Sequence, residues 1–241
     1  MKSISVRRTP PEFLRKYFYY SEIDWSVLKP SELTLIQRSK SLIDVRRNQV
    51  VFDAGTSPKG VYVVTKGKIK LSIRMPDGAE QIVFIYTPGE TFGYRPLIIC
   101  EKHAAVAAAL ESGQIEFIPA DVFLKVLRQS QPLNQELLNM LCHEFSVWIN
   151  RLAFISQKNV KQRMALALLV LNEKFKARES LLKTSAIHLS KTELASMVGT
   201  SLETVIRTLK KFVDQSLVKV KGKHFVIGDE SELMRIAGLL E

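Results

Sequence analysis

Cysteine is scarce in this chain. The 241 residues hold two, Cys100 and Cys142, too few for a disulfide framework or an all-cysteine iron–sulfur cluster. Long apolar runs are missing as well: no uninterrupted segment nears the ~20 residues that span a bilayer. Lys2, Arg7 and Arg8 near the start are not followed by the apolar stretch of a secretory signal. The expectation is a soluble protein of a reducing cytoplasm with no membrane partner. Signatures of catalysis are absent too, with no P-loop, G-x-S-x-G, H-E-x-x-H or paired metal motif. An enzyme is therefore not expected, and no cofactor or metal is assigned. Acidic residues are in deficit, 24 against 35 lysines and arginines, for a net charge of +11. That excess suits a polyanion, and by itself would serve DNA, RNA or an anionic membrane.

What is present is concentrated between Ser190 and Phe212. Leu194 and Val198 lie four apart, and Val205, Leu209 and Phe212 recur at helical spacing, which predicts two short helices each burying one stripe. Between them Gly199 suits a turn with positive φ, Ala195 lets the helices approach, and Thr200 or Ser201 can cap the second. The outer face of that second helix keeps Glu203, Arg207 and Lys210, flanked by Thr204 and Lys211. This is the layout of a helix-turn-helix. An arginine can donate two hydrogen bonds to guanine and a carboxylate can accept from cytosine, so Arg207 and Glu203 are the candidate base readers. Thr200, Ser201, Thr204, Lys210 and Lys211 suit phosphates, and Ser190, Lys191 and Thr192 at the start of the first helix complete the DNA-facing set. The alternative is a solvated amphipathic helix with Glu203 and Arg207 paired at i, i+4.

The flanks favour DNA. Leu217-Val-Lys-Val-Lys-Gly-Lys-His-Phe-Val-Ile227 alternates around a glycine turn and predicts a hairpin, a wing carrying Lys219, Lys221 and Lys223 toward the phosphate backbone. Residues 157–228 carry 14 lysines and arginines against 5 carboxylates, a net of +9, whereas residues 1–156 are at +5 and the tail from Asp229 at −3. The basic excess thus sits around the helix pair.

Upstream, residues from about 50 to 119 read as all-β. Val61-Tyr-Val-Val64, Ile69-Lys-Leu-Ser-Ile73 and Ile82-Val-Phe-Ile-Tyr86 are separated by turn signals, and six of the 11 glycines fall at positions 55, 60, 67, 78, 89 and 93. A compact roll or barrel is expected. Asp121 to Gln129 predicts a short helix and Pro132 the first turn of a longer one. In the latter, Leu138, Leu141, Phe145, Trp148, Leu152 and Ile155 follow the 3-4 spacing of a coiled-coil seam. Packing within one chain gives a similar stripe. A dimer seam would suit a DNA reader, because two recognition helices about 34 Å apart enter successive major grooves.

This order resembles the cyclic-AMP receptor protein and fumarate–nitrate regulator (Crp/Fnr) family of bacterial transcription factors, from about Trp25 onward. The most specific match is Val198-Gly-Thr-Ser-Leu-Glu-Thr-Val205 with Arg207, against the family's Val-Gly-x-Ser-Arg-Glu-Thr-Val-x-Arg. Lys66-Gly67, Pro88-Gly89-Glu90, Phe92-Gly93 and Arg163 with Leu166 and Leu168 also match. The resemblance implies an α+β fold: an N-terminal cyclic-nucleotide-binding-like β-roll (a jelly roll), a long dimerisation helix and a C-terminal winged helix-turn-helix. The expected divisions are an extension over 1–24, a sensor over 25–130, the dimerisation helix over 131–157 and the DNA-binding domain over 158–241. It implies that Glu203 and Arg207 read bases, that Ser201 and Thr204 hold phosphates, and that the partners are a palindromic DNA operator, a second copy of the chain and RNA polymerase.

Two departures stand out. Leu202 replaces the arginine before Glu203, so it can touch a thymine methyl but cannot donate to guanine. In the sensor, where the family carries Gly-Glu-Leu and then Arg-Ser or Arg-Thr for the nucleotide, this chain reads Gly93-Tyr94-Arg95 and His103-Ala104-Ala105. Ordinary cyclic-AMP control is therefore not expected. Tyr94, Arg95 and His103 are the candidate effector contacts, with a loop Arg and a core or exposed His as the structural alternative. A haem- or redox-responsive regulator would draw on Cys100, His103, Cys142 or His143, with Cys142 expected to be a small buried group on the long helix. A sequence-blind architectural DNA binder is the remaining competitor.

Overall fold

In the computed structural model residues 9–176, 186–222 and 224–240 are described. Two units emerge, one comprising Tyr19–Phe145 and the other Pro10–Phe18 with Ser146–Glu241.

In the first unit a helix α1 (Pro30–Ser39) precedes strands β1 (Ser41–Val45), β2 (Val50–Phe52), β3 (Gly60–Lys66), β4 (Ile69–Arg74), β5 (Glu80–Tyr86) and β6 (Thr91–Phe92). A short helix α2 (Tyr94–Ile98), strands β7 (Val106–Ala109) and β8 (Gly113–Pro119), helix α3 (Ala120–Gln129) and helix α4 (Gln131–Gln157) follow. The strands form two four-stranded sheets, β1-β8-β3-β6 and β2-β7-β4-β5, with every pair antiparallel. Facing rings fasten the sheets together. Phe52 of one lies 5.9 Å from Tyr62 and 6.0 Å from Phe92 of the other, and Tyr86 stacks on Phe92 at 5.1 Å.

Strand β3 is buried along five successive residues because both its faces are covered. Val61 and Val63 point to a cluster with Phe123, Val126, Leu133 and Leu137 from the helices, whereas Tyr62 joins the aromatic interior. Strands buried on both faces read as continuous apolar runs, as Val61 to Val64 does. Gly60 opens this strand against Pro119, and a Cβ there would lie 2.1 Å from the Ile118 carbonyl oxygen.

In the second unit α4 gives way at Lys158 to α5 (Val160–Phe175), capped by Asn159, whose side chain accepts from the Gln162 amide at 3.1 Å while Gln162 reciprocates. Met164 to Asn172 are all buried. Helix α5 packs against the terminal helix α8 (Glu230–Ala237) and the helix α6 (Lys191–Val198). Helix α7 (Leu202–Asp214) leads into a three-stranded sheet with the order β10 (Val218–Lys221), β11 (His224–Ile227), β9 (Ile187–His188).

Gly60→Ala should lower the stability of the roll by about 1–3 kcal/mol, because a backbone carbonyl cannot swing aside as a side chain would. Thermal denaturation should show a depressed midpoint. An unchanged melt would mean that the β3–β8 ladder is looser than described.

Candidate DNA interface

The turn between α6 and α7 is held by backbone hydrogen bonds at its glycine and by a cap on each helix. Gly199 ends α6 with φ +70°, the left-handed value that favours glycine, and its N–H, like that of Thr200, donates to the Ala195 carbonyl. Arg163 of α5 reaches over and donates to the Gly199 carbonyl at 3.5 Å. Ser190 caps α6 in a reciprocal box with Glu193, and Ser201 caps α7 by accepting from the Thr204 amide at 3.2 Å. The Ser201 hydroxyl also donates to Thr204 Oγ1 at 3.0 Å.

These bonds set the rotation of α7. Val205, Thr208, Leu209 and Phe212 turn inward and are buried, with Leu194, Ala195 and Val198 of α6 buried in the same unit. The opposite face presents Leu202, Glu203, Ile206, Arg207 and Lys210 to solvent, with Lys211 beside it. Among the described residues no ion pair joins Glu203 to Arg207. Glu203 is instead held below the usual carboxylate range chiefly by its own backbone N–H. The helix N-terminus there also favours negative charge. Thirteen residues make α7 about 20 Å long, enough to lie along a major groove.

Sequence reasoning passed over Ile206, which is 45% exposed on the outer face. Its i+4 spacing from Leu202 was the available signal. Together they put two apolar side chains among the polar ones, a surface able to meet thymine methyl groups.

The expected contacts at the edges are also located. Ser190, Lys191 and Thr192 are exposed at the start of α6, and Thr200 is half-buried in the turn. Lys219 and Lys221 are exposed on β10, Gly222 takes a positive φ of +59°, and Lys223 lies outside the described residues. The third strand, β9, pairs His188 with His224 across the sheet, their rings 3.9 Å apart.

In the first unit the candidate effector contacts are turned inward. Gly93, at φ +86°, starts α2 so that Tyr94 is wholly buried, donating to Glu144 of α4 at 3.2 Å. Arg95 lies on α2, not in a loop. It pairs with Glu144 and donates to Tyr86 Oη at 3.4 Å and Tyr19 Oη at 3.3 Å. Burial pushes the Tyr19, Tyr86 and Tyr94 phenols up, so they stay protonated. His103 lies flat on Phe52 at 3.7 Å, and burial lowers its pKa, favouring the neutral ring. Its backbone is clamped by Gly55 and Thr56.

One expectation is corrected: Cys142 lies on α4 but is exposed. The inward positions there are Met140, Glu144 and Val147, and residue 142 falls on the far side of the helix. Cys100 is exposed as well. Among the described residues no three His, Cys, Asp or Glu side chains are grouped to hold a metal ion, and no helix is long and apolar enough to cross a membrane.

Four of the six seam residues on α4 face solvent in the single chain, whereas Leu141 and Trp148 are half-buried. Leu138, Phe145, Leu152 and Ile155 are all more than half exposed, whereas Leu133, Leu137, Met140, Val147 and Phe154 form a separate, buried stripe.

A nucleotide-binding-type roll and a winged helix pair with an open basic face define a DNA-binding transcription regulator. Residues 42–130 match the cyclic nucleotide-binding domain family and residues 162–236 the Crp-like helix-turn-helix domain family. The chain belongs to the Crp/Fnr family of regulators. It is 26% identical over 204 residues to the anaerobic regulatory protein of Haemophilus influenzae, covering 85% of this chain and 78% of that protein. It is also 26% identical over 210 residues to the CRP-like cAMP-activated global transcriptional regulator of Mycobacterium tuberculosis, covering 87% and 94%. The solved structure of FixK2 from Bradyrhizobium japonicum shares the fold with a TM-score of 0.72 at 19% identity, covering 82% of this chain and 96% of that one.

The Ser201 cap separates stability from DNA contact. Ser201→Ala should cost about 1 kcal/mol of stability. Ser201→Asp should keep the cap and the melting temperature while its charge weakens duplex binding, read by fluorescence anisotropy. An Asp variant that melts like the Ala variant would refute the capping role.

Proposed function

We propose that this regulator binds a palindromic DNA site as a homodimer and does so without cyclic AMP. The observation that carries the reading is the outer face of α7, where Glu203 and Arg207 stand exposed and unpaired with each other beside Leu202 and Ile206. A side chain already engaged in an ion pair would have to break it before reading a base. These two are free of that cost. In this reading Arg207 and Glu203 contact a G·C pair, and Leu202 and Ile206 contact thymine methyls. Ser190, Lys191, Thr192, Thr200, Ser201, Thr204, Lys210 and Lys211 hold phosphates. RNA polymerase is the further partner expected of such a regulator.

The open seam of Leu138, Leu141, Phe145, Trp148, Leu152 and Ile155 supports the dimer. Its repeat is that of a coiled coil, and Leu138, Phe145, Leu152 and Ile155 are left in water by the single chain, with Leu141 and Trp148 half-buried. Independence from cyclic AMP is supported by the engagement of Arg95 with Glu144 and of His103 with Phe52. His103 is buried, and the half-buried Arg95 guanidinium is already paired.

Selection of sites from random DNA should return a two-fold symmetric motif. Arg207→Ala should lose about 1–3 kcal/mol on that site and relax one base position, whereas Lys211→Ala should weaken all duplexes and flatten the salt dependence. Equal loss on every sequence from Arg207→Ala would point to a sequence-blind binder. Cyclic AMP that binds with micromolar affinity in calorimetry would overturn the reading of the roll.

Leu152→Glu should leave the single chain folded, because that side chain is 71% exposed. Sedimentation should show a shift from dimer to monomer, with loss of binding to the palindrome. A variant that stays dimeric would move the interface off α4.

A further inference from the structure

Two of the chain's four histidines meet on the wing sheet. His188 of β9 and His224 of β11 are direct partners in the antiparallel register, so both side chains leave the sheet on the same face. Their ring centres lie 3.9 Å apart, with the planes inclined at 51°. His188 is exposed and His224 half-buried. The Nδ1 atom of His224 is buried and has no hydrogen-bond partner among the described residues, a state that is costly for a ring nitrogen.

The register carries the same face across the sheet. Lys221 stands opposite His224, and Lys219 lies two residues back, so the histidines share their face with two wing lysines expected at the phosphate backbone. The other face carries Ile187, Val218, Phe225 and Ile227, all buried. His188 also stands two residues before Ser190, the cap of α6, and β9 joins the sheet through two residue pairs. A cross-link between the two rings would therefore fasten a very short strand and the start of α6 to the wing hairpin.

We propose that His188 and His224 hold one zinc-type transition-metal ion, which ties β9 to the hairpin and adds positive charge to the phosphate-facing side of the wing. Imidazole nitrogens bind zinc at about 2.0–2.1 Å, so two of them on one tetrahedral ion stand roughly 3.3 Å apart. Rings centred 3.9 Å apart reach that spacing by turning about their side-chain torsions, with the backbone ladder unchanged. Lys219 and Lys221 decide which class of ion is taken. A hard cation such as Mg²⁺ wants oxygen ligands, which the pair does not offer, whereas an ion that favours imidazole gains enough from two nitrogens to stand beside ammonium groups. Among the described residues no third His, Cys, Asp or Glu joins the pair, so the remaining positions on the ion go to water or to a phosphate oxygen of the duplex. The wing's hold on DNA is then metal-dependent. The consequence for DNA rests on the DNA-binding reading above, whereas the site itself does not.

Zinc chloride titrated into the metal-free full-length chain should show one equivalent bound with about micromolar affinity in calorimetry. In NMR the ring signals of His188 and His224 should shift while those of His103 and His143 stay. His188→Ala, at an exposed position, should weaken zinc about tenfold or more, because one of two ligands is lost. His224→Gln checks the second ligand, with thermal melts reporting folding. In fluorescence anisotropy zinc should tighten duplex binding about threefold or more on cognate and unrelated sequences alike, as an added charge facing phosphates does, and His188→Ala should abolish the gain. Absence of zinc binding would overturn the proposal, and so would binding that His188→Ala leaves intact, which would put the ion elsewhere, for instance on the exposed Cys100 or Cys142. Zinc bound at the pair with duplex affinity unchanged would overturn it as well. If no duplex is bound with or without zinc, the DNA-binding reading fails while calorimetry still reads the site, so the two failures are distinguishable.

Discussion

Helix α4 carries two stripes with the same 3-4 repeat, one position apart around its axis, and only one of them can face the roll. The inward stripe runs through Leu133, Leu137, Met140, Glu144 and Val147, and the outward one through Leu138, the half-buried Leu141 and Phe145. Hydrophobicity alone separates them poorly, since both are rich in large apolar side chains. The ion pair decides. Rotation by one residue, about 100°, would put Phe145 where Glu144 stands and leave Arg95 and Tyr94 facing a ring. Breaking a buried pair by removing one partner costs about 3–5 kcal/mol, even where the intact pair adds little net stability. Arg95 and Glu144 thus contribute to the choice of face more than to stability. Everything on the outward face of the helix depends on that choice.

The parts of this architecture that were legible in the sequence are the local ones. The α6–turn–α7 unit was readable because Gly199, Ser201 and the Val205, Leu209, Phe212 spacing each act within a few residues. The strand runs of the roll and the hairpin of the wing were readable for the same reason. Strand β9 was not, because two residues carry no period and owe their state to pairing with β11. Nor was the burial of Tyr19, whose partners Phe84, Arg95 and His143 lie far along the chain. Ile206 was hidden by its own chemistry: an isoleucine reads as core until the phase of the helix is fixed by its neighbours. Cys142 erred in the opposite direction, since a small sulfur residue on a long helix reads as buried, and only Met140 and Glu144 pointing inward place it outside.

The engagement of Tyr17 and Phe18 with α4 and α5 has a bearing on synthesis. Their partners Arg151, Phe154 and Lys174 are made more than 130 positions later in the chain. At about 5–20 residues per second that gap lasts roughly 7–30 s. Through that interval an aromatic stretch from Tyr17 to Tyr20 is available to whatever meets nascent chains, and the roll can complete its sheets before it is closed. A segment made ahead of the roll is therefore seated only after it, when the DNA-binding half has been translated.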